Sequence, residues 1–132
     1  MEMVIEQSAP TTQTATNAFV KYLKHLPRTF RLQIRSASGV LIDEEILQSE
    51  VARRKANVWL LDNAGNLLGA RNAELLIDET VRWRFEVILT SPGRGVIGVI
   101  GKICMDAVTG EAIVTEDLVP GFRKNADKLI AG

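Results

Sequence analysis

Few residues of this chain could do chemistry. The one histidine in 132 residues, His25, stands beside lysines and has no cysteine or carboxylate motif near it. Neither a nucleophile with its base nor a zinc ligand set can be assembled at such spacing. The one cysteine, Cys104, lies inside an apolar run and reads as a small buried hydrophobe rather than a reactive thiol. Glu44, Glu45 and Glu50 offer carboxylates, but charged helix ends carry the same pattern. Gly93-Arg94-Gly95 follows Pro92 and joins two strand-like runs, whereas a phosphate loop should run from a strand into a helix. Asp106 to Glu111 lacks the regular carboxylates of a calcium loop. No catalytic residue, cofactor or metal site is therefore expected, and the chain reads as a non-enzyme.

Binding chemistry is better supplied. From Asn17 to Ile42 there is no acidic residue, while Lys21, Lys24, Arg28, Arg31 and Arg35 recur and Tyr22 or Phe30 could stack on bases. These five are candidate nucleic-acid contacts. The competing reading is a solvated face, in which Arg31 and Arg35 on an alternating strand pair with carboxylates. Sixteen basic and sixteen acidic residues cancel overall, so no global field draws the chain to nucleic acid or an anionic membrane.

The elements that would position any site are clearest between Val81 and Thr115. Val81, Trp83, Phe85, Val87 and Leu89 alternate with Arg82, Arg84, Glu86 and Ile88, the period of a half-buried strand. The next run, Val96 to Met105, puts Ile97, Val99, Ile103 and Met105 on one side and Val96, Ile100 and Cys104 on the other by simple alternation. The side carrying Arg82 and Arg84 would then continue on this strand as an apolar patch around Val96, Gly98, Ile100 and Gly101. That patch is the candidate protein interface, because something must cover it: the chain's own helices, a second copy or another protein. Asp106-Ala-Val-Thr-Gly-Glu111 then reads as a hairpin turn, with Asp106 and Thr109 accepting from backbone amides and Gly110 taking a positive φ.

Elsewhere, residues 1–16 read as a flexible arm and residues 17–132 as one domain. A short helix capped by Thr16 ends at Pro27, and Thr29 to Arg35 alternates as a strand. For Asp43 to Leu68 there are two readings, one long helix, or a helix to about Ala56 followed by a hairpin. The scarcity of β-branched residues and the three- and four-residue recurrence of apolar ones favour the long helix, with Trp59 meeting Trp83 in the core and an apolar ligand pocket conceivable there. Ala73 to Asp78 adds a strand, and Asp117 to Ala131 a closing helix with a loose start around Pro120-Gly121. The start of the chain shows no basic segment followed by an apolar stretch, which points to the cytoplasm.

The stretch Val99 to Val114, above all Asp106-Ala-Val-Thr-Gly-Glu111, resembles the terminal hairpin of PepSY-type domains, with Val81 to Val87 similar to the strand before it. That likeness implies a binding or inhibitory role without catalytic residues. PepSY domains are typically extracytoplasmic, and this chain departs from them in lacking a signal segment and in its longer Thr90 to Gly95 loop. The stretch from Ala52 through the strands that follow also looks similar to short bacterial proteins of unassigned role. The expectation is an α+β fold: an antiparallel sheet of about four or five strands, a long helix packed on it and a C-terminal helix. Its expected role is a protein-interaction or regulatory module, as a homo-oligomer or as a subunit with a protein partner.

Overall fold

The computed structural model describes residues 2–4 and 28–131. In chain order they form β1 (Glu2–Val4), β2 (Thr29–Ser36), β3 (Gly39–Leu47), α1 (Ser49–Asn63), β4 (Leu68–Ile77), β5 (Val81–Ser91), β6 (Gly95–Asp106), β7 (Ala112–Ile113) and α2 (Leu118–Ala131). The fold is α+β and antiparallel throughout. Its strands make two sheets, ordered β1-β2-β3 and β4-β5-β6-β7. The chain divides into two units, Met1–Gln48 and Ser49–Gly132. The short helix expected to start at Thr16, with His25, lies outside the described residues, as does all of the expected arm except Glu2–Val4.

In the first unit β2 and β3 form a hairpin whose turn ends at Gly39, at φ 136°. Phe30, Leu32, Ile46 and Leu47 are buried. Here the long-helix reading is corrected: Asp43-Glu44-Glu45 lies in β3 and does not open a helix. These acids sit opposite the basic strand β2, in the register Arg31 to Glu45 and Gln33 to Asp43, so cross-strand charge pairing outweighs their fit to a helix start. The helix begins at Ser49 and stops at Asn63, and the Leu60 carbonyl accepts from both Ala64 and Gly65 as the chain turns out of it.

In the second unit β5 buries Val81, Trp83, Phe85, Val87 and Leu89, as the alternation requires. α1 presents Ala52, Ala56 and Leu60 at four-residue steps to the sheet, packing chiefly on β4. Small residues at 52 and 56 let the helix approach closely, and Asn57 Oδ1 accepts from the Ala70 amide at 2.8 Å. β4 is an edge strand, so that amide would otherwise lack a partner. The closing helix starts at Leu118, ahead of Pro120 rather than after it. The Asp117 carbonyl accepts the first helical bond, from Gly121. Pro120 in the first turn forfeits no helical hydrogen bond there.

The Asp106 to Glu111 turn has the expected chemistry. Asp106 Oδ1 accepts from the amides of Val108 at 2.8 Å and Thr109 at 2.9 Å, Thr109 Oγ1 accepts from Glu111, and Gly110 has φ 78°.

Candidate functional site

Two bulges decide what β6 presents. Val87 pairs with Gly101 and Ile88 with Val99, which leaves Ile100 as an extra residue; Leu89 pairs with Gly98 and Thr90 with Val96, which leaves Ile97 as a second. Each insertion shifts the alternation by one. The insertion at Ile100 therefore puts Gly98 on the side of Leu89, the buried side, instead of beside Arg82 and Arg84, where it joins Gly101, which lies opposite Val87 by plain alternation from Met105. Simple alternation across Val96 to Met105 is thereby corrected. Ile100 is buried to 1% exposure, while Val96 remains 49% exposed.

α2 occupies the face so created. Phe122 is its one fully buried side chain and lies against Gly101, and Leu129 lies against Gly98. Between them Asn125 Nδ2 donates to the carbonyl of Ile100, the inserted residue, at 2.8 Å. Of the four residues proposed from the sequence as a protein interface, Gly98, Ile100 and Gly101 thus lie against the chain's own helix, and Val96 stays open. Among the described residues of this unit, both helices pack on the same face of the sheet.

Beyond that cover, β6 keeps a free margin. β7 pairs with it at Cys104 and Met105 alone, so among the described residues no strand lies on its outer side from Gly95 to Ile103. Val96 and Val99, 42% exposed, flank this margin, and Leu129 and Ile130 follow at the end of α2, Ile130 at 73% exposure. Cys104 is half-buried on the charged side, opposite Arg84 and Ile113, and not in the core as its apolar surroundings suggested.

A cleft of about 210 Å³ opens where the chain leaves α1, enters β4 and passes under the first turns of α2. Leu67, Leu68, Leu89, Ile100, Val119, Phe122 and Ala126 make its walls, and Asn66 and Arg123 are its polar side chains. Neither Trp59 nor Trp83, beside which an apolar pocket was expected, lines this cleft. α1 turns Ala52, Ala56 and Leu60 to the sheet and leaves Trp59 on its flank.

The basic candidates are divided. Lys21 and Lys24 lie outside the described residues, and Arg28 is exposed. Arg31 reaches both carboxylate oxygens of Asp43, at 2.7 and 2.9 Å, and Arg35 donates to Gln33 at 2.8 Å. The pairing holds the Asp43 carboxyl below its ordinary range and raises the Arg31 guanidinium, the hydrogen bond between them being the main cause in each. A phosphate would have to displace Asp43 to use Arg31.

The outward side of the four-stranded sheet is laced with ions. Asn72 and Ala73 together oppose Phe85 in a bulge of β4, with Asn72 at φ 56°. The bulge aims Asn72 Nδ2 at Glu86 Oε1, 2.7 Å away, beside Arg71 Nε at 3.1 Å. Arg84 pairs with Glu74, and Arg82 with Asp78. No group of three or more histidine, cysteine or acidic side chains that could hold a metal ion occurs among the described residues. Nor is any described helix long and apolar enough to cross a membrane.

These pairings set the response to acid. The carboxyls of Asp43, Glu50, Glu86 and Asp117 are all lowered, chiefly by hydrogen bonds from Arg31, Arg53, Asn72 and the Thr115 hydroxyl respectively. A lowered native value adds stability above the ordinary carboxyl range and loses it as pH falls through the native values. The urea midpoint should be flat from neutrality to about pH 5 and drop below about pH 4. Glu86→Gln should make that drop shallower by a small margin, since the site is mostly solvated. A midpoint that rises on acidification would contradict this.

No family model, curated protein or solved structure matches the chain.

Proposed function

We propose that this chain is a non-catalytic interaction module that associates with a second copy of itself along the outer margin of β6. One observation carries the reading: among the described residues the backbone from Gly95 to Ile103 has no strand on its outer side, and exposed Val96, Val99 and Ile130 accompany it. Unpaired strand edges recruit other strands. A two-fold contact would cover both margins at once. Self-pairing also suits the sequence. Gly95 to Ile103 carries one charge, Lys102, and antiparallel pairing centred on Val99 sets each lysine opposite a valine rather than another lysine.

The bulges at Ile97 and Ile100 limit the ladder to a few backbone bonds, so the contact should be weak, with a dissociation constant of about 10–100 µM. Sedimentation velocity across a concentration series tests this. The wild-type chain should pass from monomer to dimer, and Val99→Lys should stay monomeric with an unchanged circular dichroism spectrum. A wild-type monomer at millimolar concentration, or a Val99→Lys chain that dimerises equally well, would refute it.

A further inference from the structure

We propose that the cleft between the end of α1, the start of β4 and α2 binds a small monocarboxylate with an apolar body. The walls are aliphatic and aromatic, from Leu67, Leu89, Ile100, Val119, Phe122 and Ala126, and no acidic side chain lines them. The polar groups that do are Asn66 and Arg123. Most arginines of this unit are already committed: Arg53 and Arg54 face Glu50, Arg71 faces Glu86, Arg82 faces Asp78 and Arg84 faces Glu74. Arg123 has no such carboxylate among the described residues, and it lines this apolar cleft.

A guanidinium beside an apolar hollow selects an anion with a hydrophobic remainder. Its planar fork matches a carboxylate in two parallel hydrogen bonds, and the Asn66 carboxamide can donate a further one. A phosphate group, with more charge and more acceptor oxygens, would leave most of its valence facing leucine and phenylalanine. Size narrows the class further. About 210 Å³ is room for about seven waters, below the range of drug-sized sites. The apolar body should therefore hold about six to eight carbons, whether a straight chain or a phenyl ring. The ligand would touch Phe122 and Ile100, the residues that seat α2 on β6, so occupancy should also tighten that seam.

The test is a nuclear magnetic resonance titration of the full chain with hexanoate, phenylacetate and hexan-1-ol, the alcohol matching hexanoate in length without its charge. Hexanoate and phenylacetate should shift the amides of Leu67, Leu68, Phe122, Arg123 and Ala126 saturably. The alcohol should bind at the same residues about tenfold or more weakly. Arg123→Gln, a substitution on an exposed side chain, should erase that preference and leave the alcohol's affinity unchanged. Equal affinity for acid and alcohol, a preference that survives Arg123→Gln, or shifts that never saturate would each overturn the proposal. Dimerisation is read by sedimentation, so failure of either proposal leaves the other standing.

Discussion

Phe122→Ala should release α2 from the sheet. Phe122 is 4% exposed and is the one buried side chain of a 14-residue helix. Truncating a buried phenylalanine costs about 3–5 kcal/mol, part from lost transfer energy and part from the cavity. The remaining anchors of α2 are the Asn125 bond to Ile100 and the half-exposed Leu129, which contribute far less. A helix of this length is marginal in water without tertiary contacts. The loss should therefore appear first as local undocking, with hydrogen-exchange protection over residues 118–131 falling by about two to four powers of ten. Amides at the β4–β5 pairing should keep most of theirs. Uniform loss across the unit would instead mean that α2 and the sheet form one cooperative block. Undocking also bares Gly98, Ile100 and Gly101, so the variant should aggregate more readily than wild type.

Much of this architecture was legible because it is local. β5 could be read from period-two alternation, and the Asp106 to Glu111 turn from the acceptor side chain and glycine that such a turn demands. What escaped the sequence depends on pairing between distant segments. Nothing local to Asp43-Glu44-Glu45 distinguishes a helix start from a strand; Arg31 of β2, twelve or more residues away, decides it. Nor does the run from Val96 to Met105 announce bulges at Ile97 and Ile100, which exist only relative to β5. The insertion at Ile100 moved Gly98 to the buried side beside Gly101, and so turned an apparent docking patch into the seat of α2. The signal that could have found this was shared spacing: glycines at 98 and 101 facing large apolar residues at 122 and 129. The cleft was illegible for the same reason, since its walls come from four separate elements.

The two glycines should answer very differently to one added methyl group. At Gly101 the new Cβ would lie 2.7 Å from Cε1 and 2.8 Å from Cδ1 of Phe122, inside any real contact distance. That ring is buried, and its retreat would lift the helix it anchors. At Gly98 the nearest atom is Cδ1 of Leu129, at 2.9 Å, the far end of a side chain that is 37% exposed. Leu129 can rotate into solvent at little cost. Gly101→Ala should therefore cost about 1–3 kcal/mol, an overpacking penalty, and Gly98→Ala less than about 0.5 kcal/mol, because alanine also suits a strand better than glycine. Neither position has a positive φ, so strain in the backbone does not enter. Urea unfolding of the pair supplies the comparison, and a double-mutant cycle identifies its cause. In a Phe122→Leu background the smaller side chain makes room for the methyl group, so the Gly101→Ala penalty should shrink by about 1 kcal/mol or more. An unchanged penalty would show that Gly101 answers to the bulge at Ile100 and not to the helix above it.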